Sequence, residues 1–420
     1  MEIQILGGGG EVGRMAILVK GSRNAFLMDY GVNFDDEGHP VFPLHVRPRD
    51  LTAVMLSHSH LDHCGALPSL YVSASPPLYA TKLTTELAEL MFKDAIKLSG
   101  YYLPYEDDEV RNALRQAAPV EYGTTVTFGD DKATFVNAGH VPGSMMTYLE
   151  VDGRGLVFTG DFNLGESNLL NGADVSMLPK DLDYVVMEAT YTSGNHPPKE
   201  ELDKAFIDAV KSTLEEGGSV LIPSFTIGRA QEILMTIVRN NVLDVPIIVD
   251  GLARMANQVI AKYPHLLRDP GLYEKAMKAS VEVLGNYYRK QVLRDQSIII
   301  APAGMLKGGA SLYYFKRLAR DKRNAVILPS FQAPDTPGFE LLSRGAVRIG
   351  NEEIRVNAKI YWFDFSAHSG LRELISFIDH FSSKTKVILV HTEPLASIKF
   401  AQSLGRDLYV TKVSGERIID

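Results

Sequence analysis

Ser57-His58-Ser59-His60-Leu61-Asp62-His63 is the most informative segment of this 420-residue chain, because it places three histidines and an aspartate within six residues. The segment directly follows an apolar run that is predicted to be a buried strand. Alternate residues of an extended segment point the same way, so His58 and His60 can bind one ion. The turn that follows lets Asp62 and His63 reach a second ion. Imidazole together with carboxylate favours zinc among the common ions.

Three further ligand-type residues stand where a predicted strand breaks into a loop. They are His140 after Ala133–Asn137, Asp161 after Gly155–Thr159, and His391 after Val387–Val390. If these strand ends meet at one edge of a sheet, their side chains complete a single metal site with the histidine-rich segment. Asp29 ends another predicted strand and is suited to hold a histidine ligand in position.

The composition is that of a soluble, folded chain, with 45% hydrophobic and 22% charged residues. No apolar run approaches the roughly 20 residues of a membrane helix, and the N-terminus enters a strand pattern without a cleavable leader. We therefore expect no membrane partner. The only cysteine, Cys64, excludes an internal disulfide framework. A cytoplasmic location and a buried packing role for Cys64 are expected.

The net charge of −8 is unevenly distributed. Residues 191–359 carry 23 Lys and Arg against 18 Asp and Glu, whereas the rest of the chain carries 20 against 33. An acidic part suits cations and a basic part suits an anionic polymer. The alternative interpretation is that a surplus of five positive charges is an ordinary solvated surface.

The rhythm of predicted elements changes near residue 190. Before it, short β-rich runs dominate, many of them apolar throughout, as is typical of strands covered on both faces. After it, helices and strands alternate, which indicates a mostly parallel sheet flanked by helices. The pattern predicts domains at 1–190 and 191–359, with 360–420 completing the first. Gly7–Gly10 lack the helix and Lys-Ser/Thr of a phosphate loop, so we expect a loop near the site instead.

The H-x-H-x-D-H motif, a later lone histidine and an aspartate after Thr-Gly resemble the metallo-β-lactamase fold. The later motifs resemble its β-CASP nucleic-acid-processing branch. They are Met187-Glu188-Ala189-Thr190-Tyr191, Phe365-Ser366-Ala367-His368-Ser369 and His391-Thr392-Glu393-Pro394, with further markers at 223–232, 250–253, 303–309 and 331–333. The resemblance covers nearly the whole chain. It implies an α/β fold, namely an αββα sandwich with an inserted β-CASP α/β domain.

The resemblance also implies two zinc ions and a role for each site residue. One ion is held by His58, His60 and His140, the other by Asp62, His63 and His391, and Asp161 bridges them; Asp62, Glu188 and His368 are catalytic. Two such ions activate water and clamp a phosphodiester. A histidine kept protonated by a carboxylate can protonate the leaving oxygen, the role expected of His368 with Glu188. The alternative is that His368 only hydrogen-bonds a phosphate oxygen.

Several residues are predicted to contact RNA phosphates. Ser366 and Ser369 flank His368 and offer hydroxyl donors. Arg229 opens a predicted helix after the donors Ser224 and Thr226, and the amides at a helix start favour phosphate. The alternative for Arg229 is an ordinary surface position.

The resemblance implies a zinc-dependent ribonuclease whose partner is single-stranded RNA and whose assembly is compatible with a homodimer. We expect a 5′→3′ exoribonuclease of the RNase J type, because compact archaeal members of this kind look like exonucleases. One alternative is an endoribonuclease of the cleavage-and-polyadenylation type, which Ala367 favours. A DNA nuclease is a second alternative, and His391 argues against it. A non-catalytic RNA-binding scaffold is a third, and the full ligand set argues against it. Asp364 stands where bacterial members have a histidine, and its carboxylate would repel a 5′ phosphate unless a cation neutralises it.

Overall fold

A computed structural model describes residues 1–35, 37–99, 102–242, 244–350, 352–405 and 408–419. The chain forms two compact units. The first contains Met1–Glu166, Gly172–Asn195 and His368–Asp420, and the second contains Ser167–Asn171 and His196–Ala367. Within the described ranges, no helix combines the length and apolar character needed to cross a membrane.

The first unit contains two seven-stranded sheets, whose strands are numbered in chain order. The first sheet has the spatial order β24 (Arg417–Ile419), β1 (Glu2–Gly7), β2 (Ala16–Lys20), β3 (Ala25–Met28), β6 (Ala53–Met55), β7 (Leu78–Ala80), β8 (Ala117–Pro119). The second has the order β23 (Leu408–Val410), β22 (Lys386–Val390), β13 (Tyr184–Glu188), β12 (Arg154–Phe158), β11 (Met145–Val151), β10 (Asp131–Asn137), β9 (Thr125–Phe128). A small hairpin pairs β4 (Asn33–Phe34) with β5 (Pro40–Val41).

The two sheets pack face to face, and helices cover their outer faces. Ile17 and Phe26 of the first sheet share one buried cluster with Phe135 and Leu156 of the second. The helices of this unit are α1 (Leu61–Cys64), α2 (Lys82–Ser99), α3 (Asp107–Arg115), α11 (Leu371–Asp379) and α12 (Pro394–Leu404). Helices α2 and α3 pack on the first sheet, and α11 and α12 pack on the second. The unit is therefore the αββα sandwich that was expected.

Strand β2 shows why the strands of this unit read as continuous apolar runs. Successive side chains of a strand point to opposite faces. Ile17 and Val19 lie in the cluster between the sheets, whereas Ala16 and Leu18 lie in the cluster under the helices. Both faces of the strand are thus buried, so neither face requires polar residues.

The second unit is built on a six-stranded sheet in which every pair of neighbours is parallel. Its spatial order is β16 (Ser280–Glu282), β15 (Ile247–Val249), β17 (Ile298–Ala301), β14 (Val220–Pro223), β18 (Ala325–Leu328), β21 (Lys359–Trp362). The antiparallel hairpin of β19 (Ala346–Ile349) and β20 (Glu352–Arg355) lies outside this sheet. The helices are α4 (Lys199–Glu215), α5 (Arg229–Arg239), α6 (Leu252–Ile260), α7 (Pro270–Ala279), α8 (Asn286–Val292), α9 (Gly309–Leu318) and α10 (Pro337–Arg344).

The limits of the two units differ from the predicted domain limits in two places. Strand β21 was expected to return the chain to the first domain, but it pairs in parallel with β18 of the second unit. The unit therefore continues to Ala367. The loop Ser167–Asn171 also belongs to the second unit, because the Glu232 carboxylate on α5 accepts hydrogen bonds from the amides of Asn168 (3.1 Å) and Leu169 (2.9 Å). A five-residue loop is too short to show a hydrophobic periodicity, so the sequence did not indicate that it belongs to the second unit.

Candidate metal centre

The predicted metal ligands lie where strands of the first unit end. The segment from His58 to His63 follows β6 and includes the start of α1; His140 follows β10, Asp161 follows β12 and His391 follows β22. Strands β12, β13 and β22 are parallel neighbours. Their carboxyl ends therefore meet at one edge of the second sheet, where these side chains converge.

One group of four ligands fits a single tetrahedral ion. The ligand atoms of His58, His60, His140 and Asp161 all lie within 4.8 Å of one another. The Nδ1 atom of His60 lies 3.1 Å from Nε2 of His58 and 3.3 Å from Nε2 of His140. Asp161 Oδ2 lies 3.7 and 3.6 Å from the same two Nε2 atoms. A tetrahedron with zinc–nitrogen bonds of 2.0–2.1 Å has edges of about 3.4 Å, which these distances match.

A second group consists of Asp62, His63 and His391. Asp62 Oδ2 lies 3.3 Å from His391 Nε2, and Asp161 Oδ1 lies 3.2 Å from His63 Nε2. The last two atoms are fully enclosed, and a cation between them would satisfy both lone pairs. Because the two oxygens of Asp161 face different groups, its carboxylate is suited to bridge two ions. Five imidazoles and two carboxylates form a donor set that suits zinc.

A buried carboxylate, Asp29, positions two of the histidines. Its Oδ2 atom lies 2.7 Å from His63 Nδ1. The Asp29 carboxylate also accepts a hydrogen bond from the Ser57 amide at Oδ1 (2.7 Å) and one from the Ser57 hydroxyl at Oδ2 (2.6 Å). The Ser57 hydroxyl in turn lies 3.0 Å from His58 Nδ1. Asp29 thus orients His63 directly and His58 through Ser57. Ser57 carries no sequence signal of its own beyond its place beside the motif.

His391 is fixed by contacts to its backbone and to its ring. Its backbone is left-handed, with φ of 53°, a conformation that costs a non-glycine residue about 1–3 kcal/mol. Its amide donates to the carbonyl of Gly8 at 2.8 Å, and the Thr190 hydroxyl lies 3.1 Å from its Nδ1 atom. The loop Gly7–Gly10 therefore meets the metal centre through its backbone.

Glycine is required at position 31, because the backbone there lies very close to the backbone of Asp62 and His63. A Cβ atom there would lie 1.7 Å from the Asp62 carbonyl oxygen and 2.7 Å from the His63 nitrogen. Any side chain at this position would displace the loop that carries both ligands.

His368 forms a pair with Glu188 beside the ligand cluster. Its Nδ1 atom lies 2.9 Å from Glu188 Oε1, and its Nε2 atom lies 4.0 Å from Asp161 Oδ2. Burial disfavours its charged form, but the Glu188 and Asp161 carboxylates raise the pKa of His368 to about 9. The amide of Thr190 donates to Glu188 Oε2 at 2.8 Å and fixes the carboxylate. His368 is therefore held protonated at neutral pH.

Two of the ligands, His58 and Asp62, have the charge state that binds a metal ion. At His63 and His391 burial is outweighed by the carboxylates of Asp161 and Asp62, which raise the pKa of both rings, so those two rings lose a proton when an ion binds. Burial and the neighbouring His63 and His140 hold the pKa of His58 well below its ordinary value, so its ring is neutral. Burial opposes ionisation of Asp62, but the charges of His63 and His391 hold the pKa of Asp62 below its ordinary value.

Two of the residues predicted to contact phosphate, Ser224 and Ser369, are buried in this structure. Ser369 is fully buried, and its hydroxyl accepts a hydrogen bond from the Leu164 amide at 3.0 Å. Ser224 is also fully buried, and its hydroxyl donates to the Ile222 carbonyl at 3.3 Å. Both hydroxyls are bonded within loops here, and their contact with RNA stays a prediction. Ser366 is half-buried.

Arg229 and Thr226 lie where the predicted helix begins. Arg229 is the first residue of α5, which follows Gly228 in the left-handed region with φ of 84°. Both Arg229 and Thr226 are half-buried. Each retains exposed surface that a phosphate can approach.

Asp364 has a partner that sequence motifs did not indicate. The Nδ1 atom of His196 lies 2.8 Å from Asp364 Oδ2, and both side chains belong to the second unit. The His196 ring therefore occupies one oxygen of the Asp364 carboxylate. The only available signal was a histidine shortly after the Glu188 motif.

Known families match most of the chain. Residues 9–211 match the Metallo-beta-lactamase superfamily, residues 230–341 match the Beta-Casp domain, and residues 353–413 match the Zn-dependent metallo-hydrolase RNA specificity domain.

Curated relatives resemble this chain over nearly its whole length. RNase aCSPSF2 of Saccharolobus solfataricus is 37% identical over 99% of this chain and 84% of that protein. The RNase J-like protein of Methanocaldococcus jannaschii is 32% identical over 96% of this chain and 95% of that protein. Transcription termination factor FttA of Pyrococcus horikoshii is 34% identical over 96% of this chain and 68% of that protein. This chain therefore belongs to the metallo-β-lactamase and β-CASP family of zinc-dependent ribonucleases.

Proposed function

We propose that this chain binds two zinc ions and hydrolyses single-stranded RNA from its 5′ end, releasing one nucleotide at a time. The observation that carries the hydrolytic part is the His368–Glu188 pair, 2.9 Å apart, beside a cluster of seven buried or half-buried metal ligands. The cluster supplies electrophilic metal sites and the pair supplies a proton, which are the two requirements of phosphodiester hydrolysis.

The chain's own residues divide the chemistry between them. When bound, two zinc ions polarise the phosphate and lower the pKa of water. His368 Nε2 faces Asp161 and carries a proton at neutral pH. That proton is available to the leaving oxygen of the cleaved ester. Glu188 keeps the ring charged and in position, because its other oxygen is fixed by the Thr190 amide.

The 5′→3′ direction is supported by two features of the second unit. Ser366 is half-buried and carries a hydroxyl, a group that can donate to a phosphate oxygen. The Asp364 carboxylate, which would repel a terminal phosphate, has the His196 ring as a hydrogen-bond partner at 2.8 Å. A 5′-triphosphate brings extra charge and bulk, and we expect it to be a poorer end than a 5′-monophosphate.

An endoribonuclease is the second candidate function. The Ser366-Ala367-His368 sequence favours it, because this form resembles the cleavage-and-polyadenylation type. The chain is also 34% identical to a transcription termination factor, a protein whose name places it on nascent transcripts.

The test uses RNA labelled at the 5′ end or at the 3′ end, together with circular RNA of the same sequence. An exonuclease releases labelled mononucleotides early from 5′-labelled RNA, acts faster on 5′-monophosphate than on 5′-triphosphate ends, and leaves circles intact. Early internal fragments from circular RNA would instead establish the endonuclease. His58→Ala should abolish cleavage, whereas His265→Ala, an exposed histidine of the second unit, serves as the matched control. Sedimentation of the same preparation tests the proposed homodimer.

A further inference from the structure

The positive charge of the second unit is concentrated in one segment. Residues 283–320 contain seven Lys and Arg and a single acidic residue, Asp295. The remainder of residues 191–359 carries 16 basic and 17 acidic residues. The surplus in this region is therefore not spread over an ordinary solvated surface but belongs to α8, α9 and their flanks.

Tyrosines accompany these basic residues in two similar runs. The runs are Tyr287-Tyr288-Arg289-Lys290 on α8 and Tyr313-Tyr314-Phe315-Lys316-Arg317 on α9. Tyr287 is 69% exposed and Tyr288 is 53% exposed, and their ring centroids lie 5.4 Å apart at an angle of 85°. Two adjacent tyrosines this exposed contribute little to the core of the unit.

Arg289 joins the two helices at their buried side. It donates to both oxygens of Asp250 at 2.7 and 3.0 Å, and the Tyr314 hydroxyl donates to the same carboxylate at 2.9 Å. The guanidinium carbon of Arg289 lies 5.7 Å from the centre of the Tyr313 ring, and that of Arg317 lies 3.7 Å from it. These contacts connect α8 to α9 through the Arg289 side chain.

Both helices leave basic side chains exposed, and α8 also leaves two tyrosine rings exposed. Tyr287 and Lys290 are one turn apart on α8, and Lys316 and Arg317 lie one turn beyond Tyr313 on α9, so each set shares a face of its helix. The α8–α9 face is defined here by the exposed residues Tyr287, Tyr288, Lys290, Arg294, Lys316 and Arg317.

We propose that the α8–α9 face binds single-stranded RNA, with unpaired bases stacked on Tyr287 and Tyr288 and phosphates on the basic side chains. Exposed aromatic rings beside cations are the combination that proteins use to bind single strands without sequence preference, because every base has a π face. The inference rests on the proposed function for its ligand class, but binding at this face requires no metal ion.

Charge complementarity favours RNA over a second copy of the chain as the partner of the α8–α9 face. In a symmetric dimer the same patch meets itself, so Lys290, Arg294 and the cations of α9 would face identical positive charges. An RNA backbone brings the opposite charge. The stacking positions of Tyr287 and Tyr288 also favour unpaired bases over a duplex, whose bases are already stacked.

Binding is measured by fluorescence anisotropy with a labelled oligouridine of about 20 nucleotides, in a His368→Ala background in which cleavage is slow compared with the measurement. The double variant Tyr287→Ala/Tyr288→Ala should raise Kd about tenfold or more. Lys290→Gln/Arg294→Gln should lower the slope of log Kd against log salt by about 1.4, because two phosphate contacts are lost. The matched controls are Tyr102→Ala, 62% exposed in the first unit, and Lys384→Gln/Lys399→Gln, also exposed there; neither should change Kd.

Unchanged Kd and salt slope in both α8–α9 variants would overturn the proposal. A variant that changes the oligomeric state on gel filtration while keeping its RNA affinity would also overturn it, since the face would then be a subunit contact. If a variant fails to fold, photocrosslinking of the unmodified chain to 4-thiouridine RNA decides the matter: crosslinks should fall within 284–294 or 313–320, and crosslinks confined elsewhere contradict the proposal. A chain that binds oligouridine through this face but cleaves no RNA would contradict the proposed function alone.

Discussion

The metal centre of the first unit and the α8–α9 face of the second hold their polar groups in opposite ways. At the metal centre the second nitrogens of His58, His63 and His391 contact Ser57, Asp29 and Thr190, respectively. On the α8–α9 face the rings and charges are exposed. A small cation requires ligand atoms fixed to within about 0.2 Å, whereas a strand of varied bases requires groups that adjust. The chain is thus rigid where coordination geometry sets the chemistry.

The largest effect is expected from Asp161→Ala, because Asp161 faces both ligand groups. We expect the unmodified chain to contain about two zinc ions, since seven ligands exceed what one tetrahedral ion can use. The variant should lose both ions and all RNA cleavage, yet bind oligouridine through the α8–α9 face. Elemental analysis and anisotropy measure the two halves of this prediction. Retention of both ions, or loss of RNA binding with the fold intact, would break the contrast between the two regions.

His368→Ala should lower the cleavage rate by roughly 10²–10⁴, the range for loss of a general acid, while metal content stays near normal. His391→Ala is the matched variant and should weaken the second ion. Single-turnover rates and zinc per chain distinguish the two. If His368→Ala lost zinc and His391→Ala kept it, the roles of these histidines would be exchanged.

Asp29→Asn tests whether the rigidity of the metal centre matters. Loss of the carboxylate beside His63 and Ser57 should weaken metal affinity by about 10–100-fold, the usual effect of removing a residue that orients a ligand. Competition with a chelator measures the affinity. Asp130→Asn, whose side chain is 96% exposed, is the control. Equal affinities in both variants would show that the histidines hold their geometry without Asp29.

The smallest effect is expected in the pH profile. Burial lowers and Glu188 raises the pKa of His368, with a net value of about 9, so its proton is present below that pH and lost above it. We expect kcat/KM to fall as the pH rises through about 9. Glu188→Gln removes the negative charge, lowers the pKa of His368 and should move the decline to lower pH. A decline that stays in place in Glu188→Gln would assign it to another group.

The metal ligands could be predicted from the sequence because the motif is local and because strands that end in polar residues are visible as apolar runs. The residues that position them could not. Ser57 contacts Asp29 from 28 residues away, Thr190 contacts His391 from 201 residues away, and His196 contacts Asp364 from 168 residues away. Contacts between distant segments depend on how the sheets are assembled, which no local spacing records.

The fold could be predicted at the level of layers but not of every partner. The apolar pattern indicated a strand near 360–363, but it did not reveal that this strand, β21, pairs with β18 of the second unit. The burial of Ser224 and Ser369 could not be predicted for a related reason. A serine beside a motif offers a donor in the sequence, but its burial and its hydrogen bonds to Ile222 and Leu164 are set by packing.

Because Ser167–Asn171 belongs to the second unit, this unit is not one continuous segment that can be exchanged alone. Glu232 is only 5% exposed, and the amides of Asn168 and Leu169 satisfy its carboxylate. Lys199 also pairs with this carboxylate at 2.8 Å, so a block of residues 196–367 taken without the loop would keep the ion pair but lose two amide donors, at a cost of about 1–3 kcal/mol. The loop and the block are therefore expected to fold best when they are kept together.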